Sequence, residues 1–293
     1  MHRPAWVDDD LYPFADRWAA LPGGAVVHHV DEGEGTPILM VHGNPTWSFL
    51  YRDVIAGLRA DGFRCVAVDL PGFGLSPAPP GYGFRAAEHA AVLAELIAQL
   101  ELDGYLLMGQ DWGGPIGLAA AGRAPGRLAG LVLGNTWGWS MAGRPAAYVW
   151  AHLLGGVPGR LAVERLDGVV GFVLRRGARR RPPAGAVLAH YELPFPTAAS
   201  RRPVWTLARE VTGASDFLDR DVAPILAALG DRPALLPWGD ADPVFGDADR
   251  DRLAAALPRA RVHDLPGAGH FIQEDAGEEV AAAIRAWWAA ERP

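Results

Sequence analysis

The chain contains no lysine; all 27 of its basic residues are arginine. That excludes a lysine Schiff base and the lysine of a phosphate-binding P-loop. There is one cysteine, Cys65, so neither an intrachain disulfide nor a cysteine-based zinc site can form. Long apolar runs are also missing. Stretches such as Pro37 to Val41 fall far short of the ~20 residues needed to cross a bilayer. Positive charge is scarce: the formal net charge is -7 and the pI about 5.7, which argues against a dedicated nucleic-acid binder. The segment Met1 to Phe14 carries Asp8, Asp9 and Asp10 and no apolar h-region. A cytoplasmic protein is therefore expected, with no signal peptide and no membrane association. Neither an internal repeat nor a low-complexity tract interrupts the chain.

What is present is ample core material. The 293 residues are 50% hydrophobic and 21% charged, enough for one large domain or a domain with an insertion. Such a composition excludes a disordered chain, a collagen-like chain and a disulfide miniprotein.

Short apolar runs alternate with longer amphipathic stretches. Pro37–Val41, Arg64–Val68, Tyr105–Met108, Gly130–Leu133 and Ala234–Leu236 show no polar alternation, as expected of parallel strands covered on both faces. Between them, Leu93, Leu96, Ile97 and Leu100 recur at helical spacing, and Val280, Ile284, Trp287 and Trp288 form a similar stripe. Strand–helix alternation predicts an α/β architecture with a mostly parallel sheet and helices on both faces. It lapses from Trp137 to about Thr212, a stretch rich in Trp and Arg with no convincing strand. The expected organisation is a core of residues 1–136 and 213–293 with a helical cap, 137–212, inserted.

The chemistry concentrates in four segments. Tyr105-Leu-Leu-Met-Gly-Gln-Asp-Trp-Gly-Gly-Pro-Ile-Gly117 ends a strand, places Asp111 between glycines and opens a helix. This is the G-x-nucleophile-x-G elbow with Asp111 in the nucleophile's place. So tight a turn strains the central residue, Gly109 and Gly113 relieve crowding, and the helix N-terminus favours a carboxylate. An Asp that only caps a helix is the plainer alternative. The second segment, Val41-His-Gly-Asn-Pro-Thr-Trp47, follows a strand where an oxyanion loop belongs. There His42 is expected to tether the loop, and Asn44 to offer an amide to a pocket. The third, Leu265-Pro-Gly-Ala-Gly-His-Phe-Ile-Gln-Glu-Asp275, places His270 on a glycine-rich loop before the last helix, as a general base. Of nine histidines, His270 alone has both this order and this loop context. Leu236-Pro-Trp-Gly-Asp-Ala-Asp242 supplies the acid that orients it. The G-x-x-D spacing selects Asp242 over Asp240, and the other place for an acid, Gly134-Asn135-Thr136, holds no carboxylate. The order Asp111, Asp242, His270 is nucleophile, acid, base.

Together, His42-Gly-Asn-Pro-Thr-Trp47, Asp69-Leu-Pro-Gly-Phe-Gly-Leu-Ser76, Gly109-Gln-Asp-Trp-Gly-Gly114 and His270-Phe-Ile-Gln-Glu-Asp275 resemble the haloalkane dehalogenases, α/β-hydrolases with a helical cap. The resemblance covers nearly the whole core and is weakest across the cap. It implies Asp111 as nucleophile, His270 as base, Asp242 as acid, and Asn44 with Trp112 as the pair that holds the halide. The Asp–His–Asp triad with an Asn–Trp pair is similar to one subfamily; members with Glu after the earlier strand match less well. The implied reaction needs no metal or organic cofactor. Its partners are a small apolar halogenated substrate, water and a halide ion. An aspartate nucleophile also suits saturated carbon on its own chemistry, because attack on an ester or amide would give an anhydride.

Two alternatives stay open at this level. An epoxide hydrolase shares the Asp nucleophile but needs an acid for the departing alkoxide, with Tyr148 and Tyr191 as candidates. A non-catalytic ligand receptor can be built on the same fold. Trp137, Trp139, Trp150, Phe172 and Trp205 are candidates to line the pocket. The run Arg175, Arg176, Arg179, Arg180, Arg181 is expected to be a solvated face, and Cys65 inert packing.

Overall fold

A computed structural model describes residues 1–141, 155–165 and 168–291. Eight strands form one sheet: β1 (Asp16–Ala20), β2 (Val26–Glu32), β3 (Thr36–Val41), β4 (Phe63–Val68), β5 (Tyr105–Gln110), β6 (Leu128–Gly134), β7 (Ala234–Gly239) and β8 (Ala260–Leu265). Their spatial order is β1-β2-β4-β3-β5-β6-β7-β8. β1 and β2 pair antiparallel, as do β2 and β4; every pairing from β4 through β8 is parallel. All six residues of β5 and of β7 are buried, which is why those strands read as unbroken apolar runs.

Helices α1 (Arg52–Leu58), α2 (Ala86–Gln99) and α3 (Gly113–Ala121) connect the first half of the sheet. Between β6 and β7 the described residues form α4 (Val157–Arg165), α5 (Val169–Gly177), α6 (Gly185–Glu192), α7 (Arg202–Gly213) and α8 (Ala223–Ala228), with no strand among them. Helices α9 (Asp247–Ala256) and α10 (Ile272–Glu291) complete the chain. α1 packs against α10, and α2 against α3. Among the described residues no helix is long and apolar enough to cross a membrane. Cys65 lies buried in β4, where burial pushes its thiol up to about 12.

The sheet register sets the site. Val41 of β3 is level with Gly109 of β5, and Gln110 of β5 with Gly134 of β6. The chain leaves β3, β5, β6 and β7 at one carboxyl edge, delivering Asn44, Asp111, Asn135 and Asp242 to the same place. Open α/β sheets present their chemistry at that edge.

Candidate active site

Asp111 sits at the turn from β5 into α3 with φ +50°. A non-glycine residue in this region carries about 1–3 kcal/mol of strain. Neighbouring bonds hold it: its N–H donates to Asn135 O at 3.1 Å, and Thr136 Oγ1 donates to its carbonyl at 2.6 Å. The flanking glycines are sterically required. A Cβ at Gly113 would lie 1.8 Å from Val41 O, and one at Gly109 would lie 2.7 Å from Gly113 O.

The two carboxylate oxygens of Asp111 have different surroundings. Oδ1 accepts the Asn44 backbone N–H at 2.8 Å. Oδ2 lies 3.6 Å from His270 Nε2. The other ring nitrogen, Nδ1, is 2.9 Å from Asp242 Oδ2. Asp242 is held in turn. Asn135 Nδ2 donates to the same Oδ2 at 2.8 Å, and Val244 N–H donates to Oδ1 at 2.7 Å. Asp240 is exposed and accepts the Gly267 N–H at 2.6 Å, away from the imidazole.

Burial alone would lower the pKa of His270, but the Asp242 and Asp111 carboxylates override it and raise the value to about 10. Phe271 packs edge-on to its ring at 4.8 Å. His270 Nε2 also lies 3.1 Å from Gln110 Nε2, which donates to the His270 carbonyl at 3.0 Å. Asp111, Asp242 and His270, three residues picked from distant motifs, thus form one chain of contacts.

Asn44 and Trp112 flank Asp111, and both donate to α7. Asn44 Nδ2 donates to Val204 O at 2.9 Å, and Trp112 Nε1 donates to Leu207 O at 3.0 Å. Asn44 Oδ1 is buried without a hydrogen-bond partner among the described residues. Trp137 packs against Trp112 at 4.8 Å and stacks on Phe245 at 4.9 Å. Trp139 is buried beneath the Arg252 guanidinium. Trp205 is partly buried between Arg160 and Arg209. Phe172 departs from expectation: its side chain is exposed at 55% with Arg176 over the ring, so it faces solvent instead of a pocket. Trp150 and Tyr148 lie outside the described residues.

Tyr191 is buried, and its hydroxyl is fully engaged. It donates to Glu274 Oε1 at 2.5 Å and accepts from Arg52 Nη1 at 3.3 Å. Arg52 also forms a two-pronged pair with Glu274, so α1, α6 and α10 meet at one buried cluster.

Behind the Asn44 loop lies a second buried network, of which the sequence reading expects only His42, as a tether. His28 Nδ1 is 2.7 Å from Asp69 Oδ2, and Nε2 is 2.9 Å from Asp16 Oδ1. Despite burial, these carboxylates raise His28 to about 9. Asp69 Oδ1 accepts the Ser48 N–H at 2.8 Å, and His42 Nε2 accepts the Leu70 N–H at 3.0 Å. His42 Nδ1 donates to Gly43 O at 2.8 Å, and burial lowers its pKa, so it is a neutral tether for the loop. Asn135 and Gln110 were likewise missed as supports of the site. The signal for Asn135 is its position at the end of β6, the alternative place for an acid, which holds no carboxylate.

Comparison with known proteins follows the same lines. The alpha/beta hydrolase fold family matches residues 36–277. Haloalkane dehalogenase 2 of Mycobacterium tuberculosis is 46% identical over 278 residues, covering 94% of this chain and 96% of that protein. A cis-3-alkyl-4-alkyloxetan-2-one decarboxylase of Shewanella oneidensis is 31% identical, covering 94% of this chain and 89% of that one. The crystal structure of a haloalkane dehalogenase from Bradyrhizobium elkani superposes with a TM-score of 0.84 at 26% identity, covering 94% of this chain and 98% of that chain. The chain belongs to the haloalkane dehalogenase family of α/β-hydrolases.

Proposed function

We propose that the protein hydrolyses carbon–halogen bonds of small apolar haloalkanes, giving an alcohol, a halide ion and a proton. The observation that carries this reading is the asymmetry of the Asp111 carboxylate. One oxygen accepts from the Asn44 N–H and the other faces His270. In the first step Oδ2 attacks the halogen-bearing carbon in line with the carbon–halogen bond. That bond breaks with its electron pair on the halide, leaving an alkyl ester on Asp111. A departing halide is a weak base, so it needs hydrogen-bond donors and no proton. The Asn44 amide carries a second N–H besides the one on Val204 O, and the Trp112 indole becomes a donor by exchanging Leu207 O for the halide.

In the second step His270 takes a proton from water as the oxygen attacks Cγ of the ester. The new oxyanion develops on the atom already beside the Asn44 N–H. Asp242 holds the imidazole and stabilises the imidazolium. The resulting intermediate then collapses by breaking the Cγ–Oδ2 bond. Oδ2 leaves as the alcohol with a proton from the imidazolium, and the new hydroxyl gives up its proton to solvent, which restores the Asp111 carboxylate. Esterification also prepares the base. It removes the Asp111 charge, one of the influences that raise His270, so the pKa falls and the neutral imidazole becomes accessible. The described residues of segment 137–212 serve as the cap over this chemistry, α7 meeting Asn44 and Trp112.

Two observations weigh on the alternatives. The engaged hydroxyl of Tyr191 supports the halide reading over an epoxide hydrolase. The Shewanella relative is named for an oxetan-2-one decarboxylase, so a β-lactone is the second substrate class to try. The same carboxylate can open that strained ring at its alkyl carbon. The test is bromide release from 1-bromobutane and 1,2-dibromoethane by wild type and Asp111→Asn. Bromide from wild type alone supports the reading. No bromide from folded wild type rejects it and moves the trial to a cis-3,4-dialkyl oxetan-2-one, then to styrene oxide. Tight binding without turnover would mark a receptor.

A further inference from the structure

The motif that carries His270 ends in Asp275, a residue with no part in the reaction just described. Asp275 is buried, and its carboxylate accepts four backbone N–H groups. Oδ2 accepts from Gly269 at 2.7 Å and Arg179 at 2.8 Å. Oδ1 accepts from Arg180 at 2.9 Å and Arg181 at 2.8 Å. Three of the four donors are successive N–H groups on the stretch after α5, which is neither helix nor strand. Such a run forms a concave anion nest, here filled by an internal carboxylate. The fourth donor is the residue immediately before His270.

The same stretch grips the histidine loop directly. His270 N–H donates to Gly177 O at 2.8 Å. A Cβ at Gly269 would lie 2.0 Å from that Gly177 oxygen, so the two backbones are in contact. From the outer side, the Arg180 guanidinium donates to Pro266 O at 2.6 Å through Nη2 and pairs with Glu279 at 2.6 Å.

We propose that Asp275 is a positioning residue that couples the seating of segment 177–181 to the placement of the His270 base. This rests on the two-step reading above. Ester formation uses Asp111 and the donors on Asn44 and Trp112, none of which stands on this loop. Ester hydrolysis needs His270 Nε2 within hydrogen-bond reach of a water over the ester. A shifted loop therefore slows the second step and spares the first. A merely structural residue would depress both together.

The test follows both steps with 1-bromobutane in Asp275→Asn, which keeps the shape but turns an NH2 group toward two of the donors. Rapid-quench bromide release reads ester formation, and intact mass reads the ester. Hydrolysis should slow by about 10- to 100-fold, the scale of a misplaced catalytic group. The bromide burst should stay within about twofold, and the ester should accumulate. Equal loss of both steps, or no change in a folded variant, overturns the proposal. Should Asp275→Asn fail to fold, Arg180→Ala removes the outer grip from a partly exposed site. A smaller slowing confined to hydrolysis is expected there, and unchanged hydrolysis counts against the coupling. Should wild type release no bromide, the two-step reading fails separately. The coupling is then read by NMR titration of the His270 imidazole, which must shift in Asp275→Asn; an unmoved titration overturns it.

Discussion

The indole N–H of Trp112 donates to the carbonyl oxygen of Leu207 at 3.0 Å. An indole has one such hydrogen, so a halide bound at Trp112 and helix α7 compete for it. Asn44 has two amide hydrogens and donates one to Val204 O, one turn earlier on α7. Bromide should therefore loosen α7. Amide exchange across 202–213 is expected to rise when bromide is added to wild type and to stay flat in Trp112→Phe. Equal protection with and without bromide would separate Trp112 from the halide site.

The two acids after β7 make a sharper pair. Asp242 touches the imidazole at 2.9 Å, whereas Asp240 only pins Gly267. Asp242→Asn should lower turnover by about 10³- to 10⁴-fold, the scale seen when the acid of such a triad loses its charge. Asp240→Asn should fall by less than about fivefold, since it loosens only an exposed loop bond. Steady-state kinetics of the two variants decide between them, and the reverse ranking would move the acid to Asp240.

The buried His28 network predicts a pH-dependent stability. His28 stands at about 9 in the folded protein against 6.5 when unfolded, so the native state binds the proton more tightly. Its contribution is fully present below pH 6.5 and is lost as pH rises through about 9. Thermal unfolding should show Tm falling across that window, and His28→Gln should flatten the fall. His270, raised to about 10, adds to the decline at the upper end, so some slope persists in the variant. A Tm rising over the same window in wild type would contradict a protonated His28.

Much of the fold was legible because its strands are buried on both faces. β5 and β7 appear as apolar runs since every residue in both is buried. The helix that carries the Val280–Trp287 stripe begins just after Ala276, where the stripe places it, and a short helical turn precedes it. The two part at Ala276, where φ is -151°, so the turn carrying Glu274 and Asp275 does not share the rotation of the Val280–Trp287 face. The residues that meet at Asp111 were visible because strand ends are marked by glycine, and glycine spacing is a local signal. Support from Asn135 was invisible for the opposite reason. Its side chain reaches Asp242 across 107 residues of sequence, and no local pattern encodes that contact. Gln110 stood beside the nucleophile in plain view, yet nothing in the strand pattern says that it turns toward His270, 160 residues on. Phe172, one of the candidates to line the pocket, is exposed instead, because a helix rich in apolar residues does not reveal which of them its neighbours leave uncovered.

The most direct test of a covalent two-step reaction is the intact mass of His270→Phe after exposure to 1-bromobutane, with bromide counted in the same sample. The account predicts one bromide per protein and a stable added butyl group on Asp111, because the first step needs no base and the second cannot proceed without one. Continued turnover of this variant, or an active wild type whose His270→Phe form gains no mass and releases no bromide, would contradict it.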